Sequence, residues 1–121
     1  MTQREILVVG TARTAIGTYG GSLKDTPLSQ LATTAVSAAL ARSGVDAAEV
    51  GHVVMGNVIP TEPRDAYLSR VAAIDSGIPI ETPAFNVNRL CGSGLQAIVS
   101  AAQSILLGDT DVAIGGGAEA M

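Results

Sequence analysis

The chain has 121 residues and a net charge of −4, and 47% of its residues are hydrophobic, 15% charged and 2% aromatic. This apolar composition excludes an intrinsically disordered chain, because it supplies enough apolar surface to form a buried core. The balance of 7 basic against 11 acidic residues argues against nucleic acid or an anionic membrane as a partner. Aromatic side chains are scarce and 14 residues are glycine, which favours a core of closely packed aliphatic layers.

Cysteine and histidine occur once each, as Cys91 and His52, so the sequence offers neither an internal disulfide nor a zinc ligand set. The longest apolar run near the N-terminus, residues 6–9, is too short for a signal peptide or a membrane span. We therefore expect a cytoplasmic protein. The low share of charged residues also predicts that part of the surface is covered, either by a partner subunit or by more of the same polypeptide.

The N-terminal third predicts a strand and a helix. Residues 5–10 form a continuous apolar run that ends in glycine, which is typical of a strand buried on both faces. A glycine-rich loop over residues 13–25 follows, and Pro27 is expected at the first helical position. Apolar residues at helical spacing predict a helix over residues 28–42, which Gly44 ends.

The remainder predicts three more strands and two more helices. Strands are expected at residues 52–56, 84–87 and 111–114, and helices at residues 64–76 and from Cys91 to about residue 107. The last helix is expected to be largely buried along its apolar stripe, which comprises Leu95, Ile98, Val99, Ala102, Ile105 and Leu106. Regular alternation of strand and helix predicts an α/β fold with a mostly parallel sheet and crossover helices.

Cys91 lies where the third predicted strand gives way to the last helix, in the segment Asn88-Arg89-Leu90-Cys91-Gly92-Ser93-Gly94-Leu95. Ligands of parallel α/β sheets bind beyond the carboxyl ends of the strands, and a helix N-terminus stabilises a thiolate relative to a thiol. Gly92 and Gly94 leave room for a thioester carbonyl, and the Cys91 amide is a candidate donor to an oxyanion. The pattern favours a nucleophilic cysteine, and an inert core cysteine is the alternative.

Two further interpretations stand beside the nucleophile. The segment Gly92-Ser93-Gly94-Leu95-Gln96-Ala97 fits the G-x-G-x-x-A pattern of a dinucleotide-binding turn, and Glu119 follows the next strand, where a ribose-binding acid is expected. A non-catalytic structural or partner-binding α/β piece is the third interpretation. Rapid alkylation of Cys91 supports the first, a change in NAD(P)H fluorescence supports the second, and neither response supports the third.

The other polar residues and glycines have structural interpretations. His52 opens an apolar strand without a titratable neighbour and is taken as a structural histidine. Arg64, Asp65 and Arg70 flank the second predicted helix and are interpreted as a solvated or subunit-facing surface. Residues 115–117, all glycine, are interpreted as a strand end that permits close packing rather than as a phosphate cradle.

Three blocks of the sequence resemble the thiolases, the acetyl-CoA C-acyltransferases. Residues 87–97 resemble their active-site cysteine motif, residues 13–23 their N-terminal loop, and residues 116–121 their G-G-x-E-S/N-M block, in which Ala120 replaces the usual Ser or Asn. The resemblance extends over all 121 residues. It looks closest to the bacterial β-ketothiolases, through residues 56–59 and 61–65 as well.

The resemblance implies a thiolase-like layered α/β fold in which residues 1–121 are the N-terminal part of the first of two similar core halves. It also implies that Cys91 takes the acyl group of an acyl-CoA, or of a cleaved 3-ketoacyl-CoA, as a thioester. The reaction is a reversible Claisen condensation or thiolytic cleavage. A complete thiolase supplies an activating His, a second Cys and an Asn-Glu block from later in the chain, so residues 1–121 alone are expected to be inactive.

The same resemblance sets expectations for cofactors and partners. No cofactor and no metal are expected, since the coenzyme A thioesters are substrates. The complete protein is expected to be a homodimer or homotetramer, with residues 84–87 and the region of Arg89 as candidate interface. Fatty acid or polyhydroxyalkanoate metabolism is the implied setting.

Overall fold

The computed structural model describes residues 4–121. Within that range it has three α-helices and three β-strands, in the order α1 (Leu28–Ser43), β1 (His52–Gly56), α2 (Leu68–Asp75), β2 (Ala84–Val87), α3 (Ser93–Leu106) and β3 (Ala113–Gly117). Short 3-10 turns at Ala47–Glu49 and Pro63–Tyr67 precede β1 and α2. Among the described residues, no helix combines the length and the apolar character needed to cross a bilayer.

The sheet is parallel and has the order β2-β1-β3 in the described part of the chain, so β1 is its central strand. Side chains of β1 alternate between two helical layers, because successive residues of a strand point to opposite faces. Val53 belongs to the core formed with α1 and α2, whereas Val54 packs with Ala97 and Ala101 of α3. The predicted α/β architecture with crossover helices is thereby confirmed.

Helix α1 forms where the apolar spacing predicts it and ends one residue later than expected. Leu28, Ala32 and Val36 are buried at intervals of four residues and face the core. Gly44 ends the helix in the left-handed region at φ 71°, which glycine adopts without steric cost. Pro27 is the residue before the helix, at ψ 138°, and not its first helical residue.

The predicted helix over residues 64–76 is two elements. Pro63–Tyr67 is a 3-10 turn in which the Glu62 amide donates to the Asp65 side chain and the Asp65 amide donates to the Glu62 carbonyl. Helix α2 then begins at Leu68 and buries Ala72 against α1. Asp65 is fully buried, so its interpretation as a surface residue is wrong. Its Oδ2 accepts from the amides of Thr61 and Glu62 and from the Thr61 hydroxyl.

The first predicted strand is not a strand in the described structure. Residues 5–10 make no β-ladder, and Leu7, Val8 and Val9 are 67%, 76% and 58% exposed. The segment lies against the last turns of α1, where a Cβ on Gly10 would meet the Ala39 carbonyl oxygen at 2.5 Å. Apolar composition predicts burial, but a strand also needs backbone partners, and residues 4–121 place none beside this segment.

Strand β3 begins two residues later than predicted and continues through three glycines. Its register pairs His52 with Ala113 and Gly56 with Gly117. Glycine has a low intrinsic preference for strands, so the sequence pattern ends the strand at Ile114. Hydrogen bonding to β1 overrides that preference, and the interpretation as close-packing positions is confirmed for Gly115 and Gly117, which approach the backbone of α3.

Helix α3 begins two residues later than predicted, ends close to the predicted residue, and buries a different face. Its buried residues are small, Ser93, Ala97, Ala101 and Ser104, whereas Leu95 is 69% and Ile98 48% exposed. The expectation of a largely buried apolar stripe is therefore wrong. The reason is the glycine backbone beneath the helix, since only small side chains permit so close an approach.

Candidate active site

Cys91 lies in the loop between β2 and α3, at the carboxyl edge of the sheet, and it is exposed. The ends of all three described strands meet there, because the register aligns Gly56 of β1 with Val87 of β2 and with Gly117 of β3. Helix α3 begins two residues after the cysteine, at Ser93. The predicted junction of strand, cysteine and helix N-terminus is confirmed, and Cys91 is not buried among residues 4–121.

The first turn of α3 sits directly on the sheet because β1 and β3 end in glycine. A Cβ on Gly56 would lie 2.6 Å from the carbonyl carbon of Ser93 and 2.8 Å from the backbone nitrogen of Gly94. Gly117 approaches the Cα of Gly94, where a Cβ would stand at 3.3 Å. Backbone in contact with backbone leaves little freedom, so the glycines fix the height of the cysteine loop above the sheet.

Side chains on both sides of Cys91 hold its loop. The backbone N–H of Leu90 donates to Asn88 Oδ1 at 2.9 Å, and the Ser93 hydroxyl donates to the Leu90 carbonyl at 2.6 Å. The same hydroxyl accepts from the Arg89 amide at 2.8 Å. The Arg89 guanidinium itself contacts Gln96 Oε1, one turn into α3.

Glu119 is occupied in a way that removes it from a ribose-binding role. Its Oε1 accepts from the Val58 amide at 2.8 Å and its Oε2 from the Ile59 amide at 3.0 Å. Asn57 adds a parallel link, donating from Nδ2 to the Ala118 carbonyl at 3.0 Å. The carboxylate therefore joins the loop after β1 to the loop after β3, and the dinucleotide interpretation loses its acidic residue.

The family model of the thiolase N-terminal domain matches residues 6–121. The chain belongs to the thiolase family. It is 68% identical over 118 residues to the beta-ketothiolase BktB of Cupriavidus necator, and this match covers 98% of the chain and 30% of that relative. It is 43% identical over 118 residues to the human mitochondrial 3-ketoacyl-CoA thiolase, again covering 98% of the chain and 30% of the relative.

Solved structures agree with this assignment of the thiolase fold. The crystal structure of the Bacillus anthracis acetyl-CoA acetyltransferase superposes with a TM-score of 0.89 at 36% identity, covering 95% of this chain and 29% of that one. The chain thus spans about 30% of the length of the curated relatives it matches. The thiolase resemblance of the sequence, and the α/β fold that it implies, are both confirmed.

The structure keeps the remaining polar residues of this thiolase chain away from the cysteine. His52 opens β1, at the end opposite to the cysteine loop, and its ring meets Phe85 edge-on with centroids 5.3 Å apart. Arg70 donates to the carbonyls of Thr82 and Ile80, and Arg64 pairs with Asp75 at 3.3 Å. Arg64 and Arg70 are engaged by other residues, whereas the expectation of a satisfied structural histidine is not met, because His52 Nδ1 is buried without a hydrogen-bond partner among residues 4–121.

Sequence reasoning assigned no role to Asn88 and saw Ser93 only as part of a glycine-rich motif. A signal was available, because Asn favours accepting from the amide two residues onward, and Ser favours bonds to nearby backbone. The sequence does not indicate that Leu90 adopts a left-handed conformation. The Asn88 and Ser93 side chains matter because they hold Leu90 in that conformation. That conformation appears only when strand and helix are packed.

Proposed function

We propose that the protein carrying this chain is a thiolase-type acyltransferase in which Cys91 is the nucleophile. The observation that carries the proposal is the exposed cysteine of the Cys-Gly-Ser-Gly motif between β2 and α3, in a chain of the thiolase family. The substrates proposed are acetyl-CoA and other acyl-CoA thioesters, as the names of the relatives suggest. Such a protein needs no cofactor, since the thioester itself supplies the activated acyl group.

The reaction proceeds in two transfers. In thiolysis, the Cys91 thiolate attacks the 3-keto carbon of a 3-ketoacyl-CoA, the bond between C2 and C3 breaks, and the departing carbanion takes a proton to become acetyl-CoA. The acyl group then passes from Cys91 to the thiol of coenzyme A. In condensation, Cys91 accepts an acyl group from acyl-CoA, releases coenzyme A, and transfers the group to deprotonated acetyl-CoA.

The described residues contain the proposed nucleophile but not the other groups that the reaction needs. Within residues 4–121, a Cβ on Gly94 would meet no neighbouring atom within 4 Å apart from its own helix and chain neighbours, so these residues leave the side of the helix start next to the cysteine uncovered. His52, the chain's one histidine, is four residues of β1 away from the cysteine edge. Cys91 is also the one cysteine. The general base and the second thiol of the proposed reaction must therefore come from outside residues 4–121, and these residues alone are proposed to be inactive.

A homo-oligomer in the cytoplasm is proposed for the whole protein. Strand β2 lies at an edge of the described sheet, and Phe85 on it is 45% exposed. Leu90, beside the cysteine, is 69% exposed. Apolar groups at an unpaired strand edge are suited to burial against a second subunit. Fatty acid or polyhydroxyalkanoate metabolism is the proposed setting, and membership of the thiolase family supports it.

The test uses the native protein and acetoacetyl-CoA with coenzyme A, following the loss of enolate absorbance. Cys91→Ala is expected to abolish turnover, and Cys91→Ser, which keeps size but weakens the nucleophile, is expected to lower it strongly. The matched control is Ser104→Ala, a substitution at a buried site of α3, the helix that follows the cysteine loop, and remote from that loop. Full turnover by the Cys91→Ala protein, or robust turnover by residues 1–121 alone, would contradict the proposal.

A further inference from the structure

Leu90 has an unusual backbone conformation for the residue that precedes the cysteine. Its φ is 50°, and it is the one non-glycine residue with positive φ among the described residues. This region costs an L-residue about 1–2 kcal/mol, and more readily accommodates Gly, Asn or Asp. A conformation of this kind persists only where surrounding contacts impose it, and such residues concentrate at functional sites.

Two side chains hold both peptide groups of Leu90, and the backbone amide of Ser93 adds a bond to the Leu90 carbonyl at 3.1 Å. Asn88 Oδ1 accepts from the N–H at 2.9 Å, and the hydroxyl of Ser93 donates to the C=O at 2.6 Å. Ser93 is 5% exposed and its hydroxyl also accepts from the Arg89 amide, so the hydroxyl cannot turn away without losing two hydrogen bonds. We call Asn88 and Ser93 together the Leu90 clamp.

The clamp is anchored to the sheet at both ends. Ser93 belongs to the turn of α3 that rests on Gly56, where the spacing leaves no room even for a methyl group. Asn88 directly follows β2, and its Nδ2 points to the Val58 carbonyl at 3.4 Å, in the loop that Glu119 fixes. The orientation of the peptide that joins Leu90 to Cys91 is thereby tied to β1, β2 and α3.

We propose that Asn88 and Ser93 are positioning residues that hold Leu90 in its left-handed conformation and so aim the Cys91 sulfur for acyl transfer. The inference rests on the proposed function, because the orientation of the Cys91 sulfur matters for catalysis only if Cys91 is the nucleophile. If Leu90 relaxed to an ordinary conformation, the following peptide would rotate and the sulfur would move. A misplacement of about 1 Å is enough to lower a reaction rate about 100-fold.

The decisive comparison is Ser93→Ala against Ser104→Ala in the native protein. Both serines are buried in α3, at 5% and 8% exposure, and both hydroxyls donate to the carbonyl three residues earlier. We expect kcat for acyl transfer to fall about 10- to 100-fold in Ser93→Ala and to remain native in Ser104→Ala. Alkylation by iodoacetamide, a small reagent without a fixed approach, is expected to change less than about threefold in either variant.

Asn88 supplies a second pair of variants that does not alter a buried helix position. Asn88→Leu removes the acceptor at similar size and is expected to lower kcat, whereas Asn88→Asp keeps an oxygen for the Leu90 amide and is expected to restore most of it. Native kcat in both Ser93→Ala and Asn88→Leu overturns the clamp. If Ser93→Ala fails to fold, the Asn88 pair alone decides.

The outcomes separate failure of the clamp from failure of the proposed function. An active native protein that Cys91→Ala inactivates, while Ser93→Ala and Asn88→Leu stay fully active, refutes the clamp and leaves the function standing. An active Cys91→Ala protein refutes the nucleophile, and the clamp falls with it. Loss of kcat together with an equal loss of alkylation in Ser93→Ala indicates a general collapse of the loop and also counts against positioning.

Discussion

Gly115 offers the sharpest test of the contact between α3 and the sheet. A Cβ there would stand 2.7 Å from the Cα of Ile98 and 3.0 Å from the carbonyl oxygen of Ala97. Ordinary contact begins at 3.4 Å, so the helix must move by about 0.7 Å or the strand must bend. Both neighbours are backbone atoms, and no rotamer change relieves the overlap.

The magnitude follows from two opposing effects. Overpacking a well-packed core costs about 1–3 kcal/mol, and replacing Gly by Ala recovers about 0.4–1 kcal/mol by restricting the unfolded chain. We expect Gly115→Ala to lower the free energy of unfolding by about 1.3 kcal/mol, and by no more than about 2.6 kcal/mol. The control is Gly116→Ala in the same strand, where the Cβ would meet the sulfur of the flexible Met55 side chain at 3.4 Å, which is ordinary contact.

Thermal unfolding and hydrogen exchange of the native protein measure the effect. Gly115→Ala is expected to lower Tm relative to Gly116→Ala and to speed amide exchange in α3 more than in α1. The difference between neighbouring residues isolates packing from strand propensity, because both substitutions replace glycine by alanine in β3. Equal Tm values for the two variants would refute the inferred contact between the backbones of β3 and α3.

Three further substitutions test other parts of the structure by the free energy of unfolding. Asp65→Ala leaves the Thr61 and Glu62 amides without their buried acceptor and is expected to cost about 2–4 kcal/mol, with a smaller loss for Asp65→Asn; equal losses would contradict this. Glu119→Ala leaves two loop amides without their acceptor and is expected to lower the free energy of unfolding by about 1–2 kcal/mol. An unchanged stability of this variant would contradict the prediction. Gly44→Ala is expected to cost about 1 kcal/mol because of its φ of 71°, and Gly44→Asn less, so the reverse order would count against the helix end.

The elements that could be predicted are those whose signals are local. The apolar spacing of residues 28–40 and the glycine at 44 define α1, and the run at residues 84–87 defines β2 without error. The apolar run at residues 84–87, the helical spacing of apolar residues from Leu95 onward and the flanking Pro and Gly residues together predict the strand-to-helix junction that contains the cysteine motif. Local patterns succeed here because hydrogen bonding and burial within one element depend on neighbours in sequence.

The errors concern partners that are distant in sequence. Residues 5–10 have the composition of a buried strand, yet pairing depends on what lies beside them, and the described residues provide no ladder. The sequence predicts Asp65 to be a surface charge, but in the structure it is buried and accepts from the amides of Thr61 and Glu62, in the segment before α2. The sequence offers Glu119 as a candidate ligand-binding acid, but in the structure its carboxylate accepts from two amides of the loop after β1.

Sequence alone determined the α/β alternation, the family resemblance and Cys91 as the candidate nucleophile. Tertiary structure decided which face of α3 is buried, because the glycines of β1 and β3 admit its alanine face and exclude its leucines. It also decided the left-handed Leu90 and the two side chains that hold it. The physical reason is the same in each case: steric contact between backbones, and the satisfaction of individual peptide groups, are fixed only when segments far apart in the chain come together.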